Sequence, residues 1–314
     1  MKKELKALLD LTKYLDITIY NRKKNSNALE KRKINMNNAV QNLVPFVKWV
    51  GGKRQLLPEL IQRVPSEYGT YFEPFLGGGA MLFELKPEKA VVNDLNPQLI
   101  NCYLQIKEKP LQFLEALKIL QNEYNKSNNP DEQTKFYLSV REDFNTAIQN
   151  HTSTPKTAAM TVFLNKAGFN GLYRVSQKGK YNVPSAHKKK INCCNRDNIL
   201  GISELLQNVE LLNCDFEACC KDARKGDFVF FDSPYHNTFS SYQDSGFTEE
   251  DHIRLSKLVK KISKKGVKFI LTNSNSNLIM KLYKDFRIDE IDVKRYINCD
   301  ASNRVGKEII VQNF

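Results

Sequence analysis

The chain contains no apolar run long enough to span a bilayer as a helix, which argues against an integral helical membrane protein. Its start, Met1-Lys2-Lys3-Glu4-Leu5, lacks the apolar stretch and small-residue cleavage site of a secretory leader, so a cytoplasmic location is expected. No C-x-x-C pair occurs among the seven cysteines, and the five between Cys193 and Cys220 are wrongly spaced for a zinc finger. Phe216, Cys219 and Cys220 share one helical face instead, as reduced core thiols would, and no metal is expected. Tryptophan occurs once, at Trp49.

Positive charge is in excess. Lys and Arg number 48 against 35 Asp and Glu, a net charge of +13 over 314 residues, which suggests a polyanionic partner such as nucleic acid. Hydrophobic content of 41% marks a globular chain. Residues 1 to about 40 read as a basic extension. Leu5, Leu8, Leu9 and Leu15 suggest an amphipathic helix there, followed by an Asn- and Lys-rich stretch that is either an arm on DNA or a solvated tail.

The most informative stretch is Asp232-Ser233-Pro234-Tyr235. It follows the apolar run Asp227 to Phe231, which reads as a buried strand, and Pro234 ends that strand because it has no N–H for the ladder. A carboxylate, a backbone carbonyl and an aromatic ring thus meet at a strand's C-terminal edge, where open α/β sheets bind ligands. Such a group suits alkylation of an exocyclic amine. Asp232 and the Ser233 carbonyl would accept its two N–H bonds and stabilise the charge that develops on nitrogen, while Tyr235 stacks on the ring.

Upstream lie the other pieces. Trp49 sits against Gly51-Gly52, with Lys53 four residues on as a counter-ion for a carboxylate. The Tyr71-to-Ala80 stretch is strand then glycine turn, with Gly77 and Gly79, and the next strand, Ala90 to Asn93, ends in Asp94. An acidic residue at that place commonly accepts ribose hydroxyls. The third glycine of the dinucleotide form is missing, since Leu82 stands there, so S-adenosylmethionine fits better than NAD. Asp215-Phe216 follows the strand Val209 to Cys214. The pair can read an adenine ring, or Asp215 can cap the next helix, and both can hold. Tyr173 to Val175 and Tyr181 to Val183 suggest a hairpin with Gln177 to Lys180 as its turn, interleaving cations and aromatics as DNA contacts require.

Together these residues resemble the Dam-type N6-adenine DNA methyltransferases, over residues 45 to 314. Lys48 to Lys53 matches the family's opening Lys-Trp-x-Gly-Gly-Lys, Phe75 to Gly79 its Phe-x-Gly-x-Gly, and Asn93 to Asn96 its Asn-Asp-x-Asn. Phe169 to Arg174 with Asn182-Val183-Pro184 matches its target-recognition element. The resemblance implies a Rossmann-like α/β fold with a mixed seven-stranded sheet. The catalytic domain would span 41–96 and 201–314, with a mainly helical recognition domain carrying a β-hairpin inserted at 97–200. It implies S-adenosylmethionine at Trp49, Lys53, Gly77, Gly79, Asp94 and Asp232, with Phe75, Asp215 and Phe216 around its adenine, and catalysis by Asp232, Ser233, Pro234 and Tyr235. Double-stranded DNA would lie at Asn170, Leu172, Arg174, Lys178, Lys180, Pro184 and Lys188, with Arg174 reading a base and Leu172 wedging beside a flipped adenine. GATC is the first expected target, and a restriction endonuclease is an expected companion. The chain departs from the family at Ser233, where Asp-Pro-Pro-Tyr is usual, and at Pro184-Ser185-Ala186-His187. A DNA binder with impaired catalysis and a methyltransferase for cytosine N4 or RNA adenine are the alternatives.

Overall fold

The structure is a computed structural model that describes residues 42–53, 55–236, 246–294 and 305–314. The basic extension, residues 237–245 of the Ser-, Tyr- and Gly-rich stretch that reads from sequence as a loop, and Arg304 lie outside the described residues. Seven strands form one sheet: β1 (Tyr71–Glu73), β2 (Ala90–Asn93), β3 (Val209–Leu212), β4 (Phe228–Phe231), β5 (Lys268–Ser274), β6 (Arg287–Lys294) and β7 (Val305–Gln312). Their order is β3-β2-β1-β4-β5-β7-β6, with β1 to β5 parallel and β7 antiparallel to both its neighbours. Every residue of β1 and β4 is buried. Strands covered on both faces by helices need no polar alternation, so the run Phe228 to Phe231 is continuously apolar.

Two layers cover the sheet. One holds α1 (Leu57–Gln62), α2 (Ala80–Leu85), α3 (Pro97–Glu108) and a helical insert of α4 (Pro110–Lys126), α5 (Pro130–Gln149), α6 (Pro155–Ala167) and α7 (Arg196–Leu206). The other holds α8 (Phe216–Cys219), α9 (Glu249–Lys264) and α10 (Asn277–Leu282). Their cores are separate, with Phe228 and Phe230 in the first and Val229 and Phe231 in the second, as strand alternation requires. Local sequence sets the helix starts. Asn96 accepts from the N–H groups of Gln98 and Leu99 ahead of Pro97, and Thr154 and Thr248 each close a capping box. In α6, Thr157 to Asn165 is buried throughout, because α3, α4 and α5 pack around it.

Several boundaries differ from the sequence reading. Asn122 to Pro130 reads from sequence as a loop between helices, whereas α4 runs on to Lys126, so the break is confined to Ser127 to Asn129. Arg304 to Lys307 reads from sequence as a turn before a strand Glu308 to Gln312, whereas β7 begins at Val305, and Val305 to Lys307 pair with β6. Strand β6 itself was not anticipated. It carries alternating charge at the sheet's edge, the usual protection of an unpaired strand. The hairpin at 173–183 is closed by a single antiparallel bridge, Val175 to Tyr181, flanked by bonds from Ser176 N–H to the Lys180 carbonyl and from Asn182 N–H to the Arg174 carbonyl, while the outward Tyr181 N–H donates to Asn145 Oδ1. The six cysteines among the described residues, Cys219 and Cys220 included, are free thiols, and burial pushes Cys102 and Cys193 up to about 12.

Candidate active site and DNA-facing surface

The C-terminal ends of β1, β2, β4 and β5 converge, and the sequence motifs lie on them. Asp232 follows β4 directly. Its Oδ1 accepts from Thr272 Oγ1 at 2.7 Å and pairs with Lys53 Nζ at 2.7 Å. Among the described residues its Oδ2 carries no hydrogen bond. The Lys53 ammonium also lies 4.5 Å from the centre of the Tyr235 ring and donates to the Gly51 carbonyl. Sequence reasoning gave Lys53 to a ligand carboxylate. In the structure it pairs with Asp232, an interaction between residues far apart in the chain. Tyr235 donates its hydroxyl to Glu308 Oε2 at 2.8 Å, and burial, then the Asp232 and Glu308 carboxylates, hold that phenol well above its usual pKa. Ser233 is buried and Pro234 exposed.

The glycine turn after β1 is fixed by both neighbours. The Gly77 N–H donates to Asp94 Oδ2 at 2.9 Å, and the Asn96 N–H to Asp94 Oδ1 at 2.8 Å. Burial raises the Asp94 pKa, opposed by these two bonds. Gly77 has φ +51, and a Cβ there would come within 3.1 Å of the Trp49 ring. Gly79 has φ +74, and its Cβ would lie 2.7 Å from Tyr103 Oη, which itself donates to the Gly77 carbonyl. Only glycine fits both places. Asn93 ties the strand ends together, donating to the carbonyls of Pro74 and Cys214 and accepting from the Cys214 N–H.

Two groups here were missed from sequence. Glu73, at the end of β1, is 2% exposed, accepts from Tyr71 Oη at 2.9 Å, and is held well above the usual carboxylate range by burial first, then by Asp232 and Asp94. A carboxylate inside an apolar strand was the available signal. The second is Arg254 of α9. Its guanidinium bonds Asp215, Glu217 and Asp251, and lies 4.9 Å from the Phe216 ring centre. Nothing in the sequence marks it. Asp215 caps α8 through the Glu217 N–H, as expected. Phe75, Phe216 and Phe247 form a triangle with ring centres 5.5–5.7 Å apart beside it.

The recognition element lies against the Trp49 segment. Asn165, at the end of α6, accepts from the Lys48 N–H and donates to the carbonyls of Lys48 and Gly171, at 2.7–2.9 Å. Trp49 packs on Tyr173 with centres 5.5 Å apart, and Tyr173 on Tyr181 at the same distance. Gly171 has φ +66 and admits no Cβ beside the Lys48 chain. Asn170 is exposed at φ +53, so the turn Phe169–Gly171 presents its side chains outward. Leu172 is half-buried, Lys178, Lys180 and Pro184 are exposed, and Phe169, unassigned from sequence, is 50% exposed. Arg174 is exposed, with Nε donating to Asn182 Oδ1 at 2.7 Å. Lys188 differs, since its Nζ donates to the Lys166 carbonyl, and burial, then Lys48, lower its pKa. Among the described residues no three His, Cys, Asp or Glu side chains gather as a metal site, and no helix is long and apolar enough to cross a membrane.

A mixed sheet of this order, a glycine turn after β1, an acidic residue after β2 and a carboxylate-led loop after β4 define a methyltransferase of Rossmann-like fold. The family model for D12 class N6 adenine-specific DNA methyltransferases matches residues 49–297, and the chain belongs to that family. It is 42% identical over 297 residues to the type II methyltransferase M1.LlaDCHI of Lactococcus lactis subsp. cremoris, covering 92% of this chain and 99% of the relative. It is 37% identical to the type II methyltransferase M.MjaIII of Methanocaldococcus jannaschii, covering 86% and 99%. It is 28% identical to a DNA adenine methylase of Haemophilus influenzae, covering 85% and 92%. The chain is thus an enzyme of the adenine-specific DNA methyltransferase class.

Proposed function

We propose that the chain methylates N6 of an adenine flipped from a short duplex sequence, with GATC as the first target to test, within a cytoplasmic restriction–modification system. The observation that carries the reading is the placement of Asp232 and the Ser233 peptide at the end of β4, beside the glycine turn and Asp94. Support for a restriction–modification setting comes from relatives that are type II methyltransferases.

S-adenosylmethionine suits the donor set. The turn at Gly77 and Gly79 leaves no room for side chains, Asp94 and Asp215 offer carboxylates, and Phe75 and Phe216 offer rings for an adenine. Trp49 and Lys53 would complete the pocket. When bound, it supplies a methyl group already activated on a sulfonium. The chain's own part is to prepare the nucleophile. Extruding the base costs a few kcal/mol, and Tyr235 would stack on it once extruded. Asp232 and the Ser233 carbonyl would then each accept a hydrogen bond from one N6–H. That draws the nitrogen out of conjugation and towards tetrahedral geometry, with its lone pair free and its growing charge balanced. Fixed positioning supplies much of the remaining acceleration.

Arg174, Asn170, Leu172 and Pro184 would face the target, with Lys178, Lys180 and Lys188 towards phosphates. Lys188 would first have to leave the Lys166 carbonyl. Affinity should therefore fall steeply with salt. Unmethylated plasmid incubated with enzyme and S-adenosylmethionine, then hydrolysed to nucleosides, tests the reaction. N6-methyladenine is expected, whereas N4-methylcytosine, or modification of RNA alone, would overturn the proposal. Sequencing the modified positions decides the target.

A further inference from the structure

Three consecutive side chains at the end of β5 hold the loop after β4. Thr272 Oγ1 donates to Asp232 Oδ1 at 2.7 Å. Asn273 Nδ2 donates to Ser233 Oγ at 3.2 Å, and Asn273 Oδ1 accepts from the His236 N–H at 3.0 Å. Ser274 Oγ donates to the His236 carbonyl at 2.6 Å. The register explains the match. Phe231 lies opposite Leu271 in the parallel ladder, so the next residues of the two strands run on side by side. Pro234 has no N–H, so side chains hold the loop where the ladder stops.

We infer that Asn273 is a positioning residue for methyl transfer, setting the Ser233 peptide through the Ser233 hydroxyl. This rests on the reading of the Ser233 carbonyl as an acceptor for the target amine. A proline at 233 would fix φ by its ring. Serine leaves φ free, and here the Asn273 amide grips both the serine hydroxyl and the loop's exit at His236. Asn273 is 1% exposed and Ser233 2%, so water does not compete for either bond. Among the described residues Nδ2 donates only to Ser233 Oγ. Loss of that hydroxyl strands a buried donor, and the peptide beside it loses its reference point.

The test is a double-mutant cycle of Ser233→Ala and Asn273→Ala, read as single-turnover methyl transfer at saturating S-adenosylmethionine and duplex DNA, with both dissociation constants measured. Ser233→Ala is expected to slow transfer about tenfold, and Asn273→Ala more, with both affinities within about threefold of wild type. The double variant should be no slower than Asn273→Ala alone, and Ser233→Pro in the Asn273→Ala background should recover part of the rate. Additive losses, or wild-type rates with only a lowered melting temperature, overturn the inference. Should Asn273→Ala fail to fold, Ser233→Ala decides it, since a wild-type rate in that variant overturns the inference and a tenfold loss at unchanged affinity supports it. A wild-type enzyme that modifies no adenine overturns the functional reading and this inference together. Wild-type turnover with an additive cycle overturns the inference alone.

Discussion

Replacing Glu73 with glutamine probes the electrostatics beneath the site. Glu73 is buried, bonded to the Tyr71 hydroxyl and the Leu82 N–H, and faces the fields of Asp232 and Asp94. All but the two bonds disfavour its charged form, so the fold keeps a proton that the unfolded chain releases above about pH 4.5. The sign follows from linkage. The native state binds more protons than the unfolded state, so its stability is fully present below that pH and falls as pH rises. The loss is about 1.4 kcal/mol for each unit at which Glu73 still holds its proton. Glutamine has nearly the same shape and no proton to lose. Near pH 4.5 the variant and the wild type should therefore be close in stability. Above it, Glu73→Gln should gain on the wild type by about 1.4 kcal/mol per pH unit until Glu73 ionises. Urea unfolding at pH 5, 6 and 7 at fixed ionic strength reads this directly. A pH-independent difference, or a variant that loses ground as pH rises, would refute the reasoning.

Other perturbations reach different parts of the structure. Gly79→Ala combines φ +74 with a contact 2.7 Å from Tyr103 Oη, so calorimetry should show a loss of at least about 1–2 kcal/mol, with weaker cofactor binding by titration. Asn165→Leu strands the Lys48 N–H and two carbonyls, and fluorescence anisotropy should show weakened discrimination between target and non-target duplexes with the salt slope little changed. His252, buried against Phe247 and His236 with neither ring nitrogen bonded among the described residues, is lowered to about 4, chiefly by burial and then by His236, with Asp251 and Glu249 opposing. Its folded value lies below the unfolded 6.5, so stability is present above about pH 6.5 and lost as pH falls towards 4, by up to roughly 3 kcal/mol. His252→Leu should flatten that part of a denaturation profile.

The features legible in the sequence were those whose causes are local. Phe228 to Phe231 announced a central strand by composition, Pro234 marked its end, and Asp215 capped its helix as its position suggested. Gly77 and Gly79 announced a tight turn, and the reason glycine is needed came only with the Trp49 ring and the Tyr103 hydroxyl on either side. What escaped depends on partners far along the chain. The pairing of Lys53 with Asp232, the Arg254 fork on Asp215, and the Asn165 link between Lys48 and Gly171 leave no pattern at short spacing. Strand β6 was hidden because Arg287, Asp289, Glu290 and Asp292 interrupt its apolar residues, and its pairing with β7 is what makes it a strand. The polar end of β5, Thr272-Asn273-Ser274 after an apolar run, was a visible signal that went unread.

The claim at the centre of the account is that Asp232 prepares the target amine, and one rate tests it most directly. Single-turnover methyl transfer by Asp232→Ala should be compared with wild type on duplex DNA carrying the modified sequence, with DNA affinity measured beside it. Loss of one preorganised acceptor predicts a fall of at least about 100-fold, with DNA binding retained. Methyl transfer by Asp232→Ala at the wild-type rate would contradict it.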